Sequence, residues 1–115
     1  MIRPLALCGV LALAACGGDG TTPALSEAQS AALLPGDAGL AEIYNRSCRS
    51  CHILAATGAP LTGDAAAWEP RLAKGMDAML DSVFNGSGGM PPLGLCMDCS
   101  AEQCEALIRF MASPP

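Results

Sequence analysis

The sequence predicts a small all-α domain of three to five helices. Apolar residues recur at i, i+3, i+4 spacing in several short segments, and no stretch alternates apolar with polar residues as a half-buried strand does. Glycine and proline at Pro35-Gly36, Gly58, Pro60, Gly63, Gly75 and Gly86 cut the chain into pieces of helical length. No internal repeat is present.

Residues 1–15 read as an export signal of the lipoprotein type rather than as part of the fold. Arg3 supplies a minimal positive start, and the apolar run from Leu5 to Ala15 is too short to span a bilayer as a stable helix. The run ends Leu13-Ala14-Ala15-Cys16, which resembles a bacterial lipobox and implies cleavage before Cys16 with lipid on that residue. An ordinary signal peptide, cut near Ala12 to Ala15, is the alternative. The expected location is the periplasmic face of a bacterial membrane, lipid-anchored, or the soluble periplasm under the alternative. Residues 16–36 then form a flexible tether, because Gly17-Gly18-Asp19-Gly20-Thr21-Thr22-Pro23 is small, polar and turn-forming. Within it Ser26 to Leu34 has the length of a short helix that Pro35-Gly36 stops.

The domain proper is expected over residues 37–115. Asp37 is placed to cap a first helix from Gly39 to Cys48, with Leu40, Ile43 and Tyr44 on one face. A loop follows from Ile53 to Gly63. Asp64 is placed to cap a helix that ends near Trp68 or runs on to Lys74, where Gly75 breaks it. Met76, Met79, Leu80 and Val83 stripe the next helix, and Asn85-Gly86 ends it. Gly86-Ser87-Gly88-Gly89-Met90-Pro91-Pro92 fits neither helix nor central strand. Ser100-x-x-Gln103 is a capping box that opens the last helix, with Cys104, Leu107, Ile108 and Met111 facing the core.

The chemistry centres on Cys48-Arg49-Ser50-Cys51-His52. C-x-x-C-H is the attachment signature of c-type haem: two thiols one helical turn apart reach the two vinyl groups, and the next residue lies where an imidazole can serve the iron. His52 is the only histidine in the chain. Met76, Met79 and Met111 sit on helical stripes and read as core. Met90, central in a Gly-rich, Pro-flanked loop, reads as functional. A zinc site is the serious competitor, since Cys48/Cys51 and Cys96/Cys99 repeat the C-x-x-C spacing of a Cys₄ centre. A haem-based ligand-binding or sensor domain with an open sixth site is the other alternative.

Composition agrees with a cofactor-filled core. A domain this small struggles to bury enough apolar surface unaided. This chain has one Trp, one Tyr and two Phe, so a haem would supply missing apolar bulk. Beyond Arg3, five basic residues face eleven acidic ones, which argues against nucleic acid as a partner. With Cys16 lipidated and Cys48 and Cys51 on haem, Cys96, Cys99 and Cys104 remain, an odd number. Cys99 and Cys104 fall at the N′ and N4 positions of the last helix, so a Cys99–Cys104 pairing competes with Cys96–Cys99.

Taken in order, these residues resemble class I cytochrome c, and within it the small bacterial cytochrome c5 subgroup. The resemblance rests on Tyr44-x-x-x-Cys48, Gly58-Ala59-Pro60, Gly63-Asp64, Trp68-x-Pro70-Arg71-x-Ala73-Lys74-Gly75-Met76, Asn85-Gly86, Met90-Pro91-Pro92 and Cys96-x-x-Cys99-Ser100, and covers about residues 39 to 112. It implies an all-α fold around one covalent haem c, with His52 and Met90 on the iron. It implies Pro60 as the carbonyl accepting the His52 ring proton, Trp68 and Arg71 near the haem rim or propionates, and a Cys96–Cys99 disulfide. Cys104 departs from the family's usual aliphatic residue. The implied function is single-electron shuttling between a respiratory donor and acceptor, without catalysis. Redox proteins are the expected partners, beside the membrane and a weak homodimer.

Overall fold

Side-chain caps mark where four of the described helices of this chain begin. The computed structural model describes residues 24–115; the expected signal segment, Cys16 and the first part of the expected tether lie outside the described residues. Ser26 accepts from the Gln29 N–H while Gln29 returns a bond to the Ser26 backbone, and this capping box opens α1 (Glu27–Ala31). Asp37 accepts from Leu40 N–H at 2.8 Å and opens α2 (Ala38–Ile43). The chain then continues through a π turn, Tyr44–Cys48, into α3 (Arg49–His52), so that the three segments make one rod. Asp64 caps α4 (Ala65–Leu72), which carries Pro70 inside it. Gly75, at φ +90°, separates it from α5 (Met76–Asn85), and Gly86, at φ +79°, ends α5. Ser100 and Gln103 form the capping box of α6 (Ala101–Ala112). Among the described residues there are no β-strands, only a single bridge between Ser87 and Met90.

The core forms where α6 crosses the rod and α5. Leu107, Ile108 and Met111 of α6 are buried against Ile43, Tyr44, Trp68 and Met79. Tyr44 is fully buried, meets Phe110 edge-on with ring centroids 5.2 Å apart, and donates its hydroxyl to Thr62 Oγ1 at 2.9 Å. Burial pushes the Tyr44 phenol above its usual range, so it stays neutral. Thr62 is also fully buried, and its N–H donates to the His52 carbonyl at 2.7 Å, closing the loop that follows α3.

Three features differ from the sequence expectation. The first helix starts at Ala38 and does not stop at Cys48; it absorbs a π turn and carries on through His52. The segment Pro92–Leu95, for which the sequence predicts no structure beyond Pro92, forms short 3₁₀ turns in which Leu93 and Leu95 both take positive φ without being glycine. The part of the expected tether from Ser26 onward is not a free leash. α1 lies on the domain, with Ser30 fully buried and Leu33 and Leu25 packed where a side chain on Gly63 would otherwise sit: an added Cβ would come within 2.5 Å of Leu33. Its own capping box and apolar leucines give this segment reason to fold, despite the glycine-rich stretch before it.

The Tyr44–Thr62 pair gives the first prediction. Tyr44→Phe keeps the ring but strands the buried Thr62 hydroxyl, so it should cost about 1–2 kcal/mol in denaturant unfolding of the haem-loaded protein. A variant as stable as the unmutated protein would mean that the pair contributes nothing.

Candidate haem site

The π turn and the N-terminus of α3 bring the C-x-x-C-H residues to the edge of a central cavity. The π turn replaces one i→i+4 bond by an i→i+5 bond, Arg49 N–H to Tyr44 O, which widens the helix just before the motif. The cavity is about 450 Å³ and lies between the rod, α4, α5, α6 and the turn at residues 87–90. This volume falls within the range of about 300–1,000 Å³ common for small-molecule and cofactor sites. Cys48, Cys51 and His52 line it from the rod, and Met90 lines it from the turn after α5. Pro60, Trp68 and Arg71 line it as well, so the structure gathers every residue expected to handle the cofactor around one space.

The imidazole of His52 is set by its backbone surroundings. Its Nδ1 lies 2.8 Å from the Pro60 carbonyl oxygen. A carbonyl only accepts, so the ring proton sits on Nδ1 and the lone pair is left on Nε2. Burial lowers the His52 pKa below the ordinary range, and Arg71 pushes the same way, while the Pro60 bond opposes both. The result is a neutral, oriented imidazole in the cavity wall, stacked on Trp68 with ring centroids 5.5 Å apart. The Trp68 indole N–H is already committed to the Leu61 carbonyl at 2.9 Å. Trp68 therefore borders the cavity with its ring and offers no free donor there. Arg71 bonds the Ala67 carbonyl through Nη1 and lines the cavity.

Met90 is held by a tight turn. Ser87 N–H donates to Met90 O at 3.1 Å and Met90 N–H returns to Ser87 O at 2.9 Å, across Gly88 and Gly89. Gly86 is packed under this turn: a Cβ there would stand 2.8 Å from the Met90 carbonyl. Gly94, also at positive φ, lies against the Met90 methyl, which a Cβ there would meet at an ordinary contact distance of 3.5 Å. The loops on both sides of Met90 are thus built to bring this one side chain close to backbone.

The cysteines separate into distinct environments. Cys96 and Cys99 are joined through their sulfurs, with Cα atoms 5.4 Å apart, and Arg46 binds Asp98 between them through both carboxylate oxygens at 2.9 and 3.0 Å. Arg46 holds the exposed Asp98 carboxyl below its usual range. Among the described residues, the side chains within ligating distance of one another are Cys96, Asp98 and Cys99, and Cys48 and Cys51 are not with them. The four-cysteine zinc centre is therefore not formed, because the second C-x-x-C is closed on itself. Cys48 is half-buried, and burial followed by nearby Cys104 pushes its thiol up to about 11. Cys104 is free and buried, its thiol raised by burial.

The arrangement fits haem on the donor chemistry of the residues present. A neutral imidazole and a thioether line one cavity, two thiols stand beside the imidazole, and Met79, Leu107, Ile108 and Met111 supply an apolar wall. Sequence reasoning missed Thr62 and Ser30, which brace His52 from behind. Thr62 carries no local signal, but Ser26-x-x-Gln29 is a capping-box signature that announces the helix holding Ser30.

Comparison with known proteins leads to the same place. The family model described as cytochrome C oxidase, cbb3-type, subunit III matches residues 36–111. Cytochrome c5 of Ectopseudomonas mendocina is 38% identical over 73 residues, which is 62% of this chain and 84% of the relative. Cytochrome c5 of Azotobacter vinelandii is 38% identical over 73 residues, covering 62% of this chain and 88% of the relative. A chain from a solved structure described as the electron transfer complex of nitrite reductase with cytochrome c aligns with a TM-score of 0.57 and 35% identity, over 70% of this chain and 95% of that one. The chain belongs to this family of class I c-type cytochromes and is of the cytochrome c5 type. Its cofactor is covalent haem c, for which Cys48, Cys51 and His52 form the motif.

The environment of Cys104 gives the second prediction. A small alkylating reagent at neutral pH should leave Cys104 unmodified in the native haem-loaded protein and label it after unfolding without reductant. Label on Cys96 in the unfolded sample would reveal a Cys99–Cys104 bond instead.

Proposed function

We propose that this chain is a monohaem electron carrier that shuttles single electrons between respiratory redox proteins on the periplasmic side of a bacterial membrane. One observation carries the reading: His52 and Met90 line the same apolar cavity from opposite parts of the chain, next to both motif thiols. When bound, the haem supplies a one-electron iron couple whose potential Met/His ligation raises relative to harder ligand pairs. In this reading Cys48 and Cys51 hold the porphyrin by thioether bonds. His52 and Met90 would hold the iron between them, which would deny it to oxygen and to substrates. Pro60 keeps the His52 ring in one tautomer and orientation. Arg71 lies at the cavity as the cation for carboxylate groups of the cofactor, and Trp68 covers the proximal side with its ring. The Cys96–Cys99 disulfide, backed by the Arg46–Asp98 pair, fixes the loop between the Met90 turn and α6.

The location and partners belong to the same proposal. The export signal and the lipobox-like Cys16 support a lipid-anchored protein facing the periplasm. No helix among the described residues is long and apolar enough to cross a membrane. The related solved structure is described as an electron transfer complex of nitrite reductase with cytochrome c, which makes a nitrogen-oxide reductase a reasonable first acceptor class to test.

Met90→Ala tests the reading directly. The oxidised variant should lose the weak far-red sulfur-to-iron absorption band, bind carbon monoxide when reduced, and show a lower reduction potential. An unchanged spectrum and potential would mean that another group completes the iron's coordination.

A further inference from the structure

We propose that residues 24–35, ahead of the family-matched region, act as a strap that positions His52 and lowers the reduction potential of the haem. Glu27 and Ser30 are its positioning residues. The inference rests on His52 being an axial ligand and goes beyond it, because the family model begins at residue 36 and does not include the strap.

Three hydrogen bonds leave the strap, and all three end on the haem motif or the loop after it. Ala55 N–H donates to Glu27 Oε1 at 2.7 Å, Arg49 Nη2 donates to the Ala31 carbonyl at 2.8 Å, and Ser30 Oγ donates to the His52 carbonyl at 3.3 Å. Ser30 is fully buried, which a passive linker residue would not be. Behind these bonds, Leu25 and Leu33 close over Gly63, whose N–H is tied to the Met111 carbonyl at 2.7 Å.

The loop held this way is the one that orients the imidazole. It leaves His52, passes the 3₁₀ turn Ala55–Thr57, presents the Pro60 carbonyl to His52 Nδ1 at 2.8 Å, and returns through Thr62 N–H to the His52 carbonyl at 2.7 Å. Glu27 pins the start of this loop with a charge-assisted bond, stronger than a neutral one. Ser30 pins its return, sharing the His52 carbonyl with Thr62. A Pro60 carbonyl held at fixed distance keeps the Nδ1–H polarised, which makes Nε2 a stronger donor to a metal. The negative charge of Glu27 acts in the same direction, since it favours the more positive state of the iron. Both effects lower the reduction potential. A strap serving only as apolar ballast would change stability and leave the potential alone.

The test uses the full-length, haem-loaded protein and three variants. Glu27→Gln keeps an oxygen acceptor and removes the charge, Glu27→Ala removes both, and Ser30→Ala removes the buried hydroxyl. The readouts are the reduction potential by spectroelectrochemical titration, the far-red sulfur-to-iron band, and amide hydrogen exchange at Ala55 and Thr62. We expect the band to persist in all three. Exchange should quicken roughly tenfold at Ala55 in Glu27→Ala and at Thr62 in Ser30→Ala. The potential should rise in every variant, with Glu27→Gln between the unmutated protein and Glu27→Ala. Unchanged potentials in Glu27→Ala and Ser30→Ala, with the band intact, would overturn the strap and leave the axial assignment standing. A band missing from the unmutated protein would overturn the axial assignment and the strap with it.

Discussion

The organisation of this chain follows from a core that its own side chains do not close. Leu107, Ile108, Met111 and Met79 are buried in one cluster, yet all four also border a cavity of about 450 Å³. In a domain with so few aromatic rings, filling that space from the protein alone would take residues the sequence does not contain. Covalent haem c supplies the missing apolar surface at the centre of the walls that surround it. The same fact explains why the functional residues are dispersed along the chain and yet gather in space: the rod's C-terminal end, α4, α5, α6 and the Met90 turn each contribute to the wall of the cavity.

Around the imidazole the polar framework is unusually complete for so small a domain. The ring nitrogen, the backbone carbonyl of His52 and the loop that follows all have named partners: Pro60, Thr62 and Ser30. Buried polar groups of this kind are costly unless paired, and once paired they admit one arrangement. The methionine side is built differently. It relies on backbone geometry, with Gly86 at positive φ making room under the turn and the Ser87–Met90 bonds fixing the approach. An imidazole must be oriented through its second nitrogen, whereas a flexible thioether needs only to be brought close.

Much of this was legible in the residues. Asp37, Asp64 and Ser100 announced helix starts, and Gly75 and Gly86 announced stops, because capping and positive φ are local properties that single side chains control. The haem motif was legible for the same reason: two thiols and a histidine at fixed spacing are enough to state the chemistry. Contacts between distant parts of the chain were harder to read. Nothing near Thr62 tells that Tyr44 will bond it, and Leu93 and Leu95 take positive φ where no glycine gives warning. The docked α1 lay in between. A short helix over Ser26 to Leu34 was legible, but the glycine-rich run before it placed that helix within a tether rather than on the domain.

The central claim is that the cavity holds a haem whose iron lies between His52 and Met90. Proton NMR of the reduced protein, with the methionine methyl groups labelled with carbon-13, examines this most directly. A methyl group bound through sulfur over the face of a porphyrin sits in the shielding cone of the ring current. One methionine methyl, assigned to Met90 by its loss in a Met90 variant, should therefore resonate far upfield of all the others. Methyl signals that all fall in the ordinary methionine range, with haem present, would contradict the account.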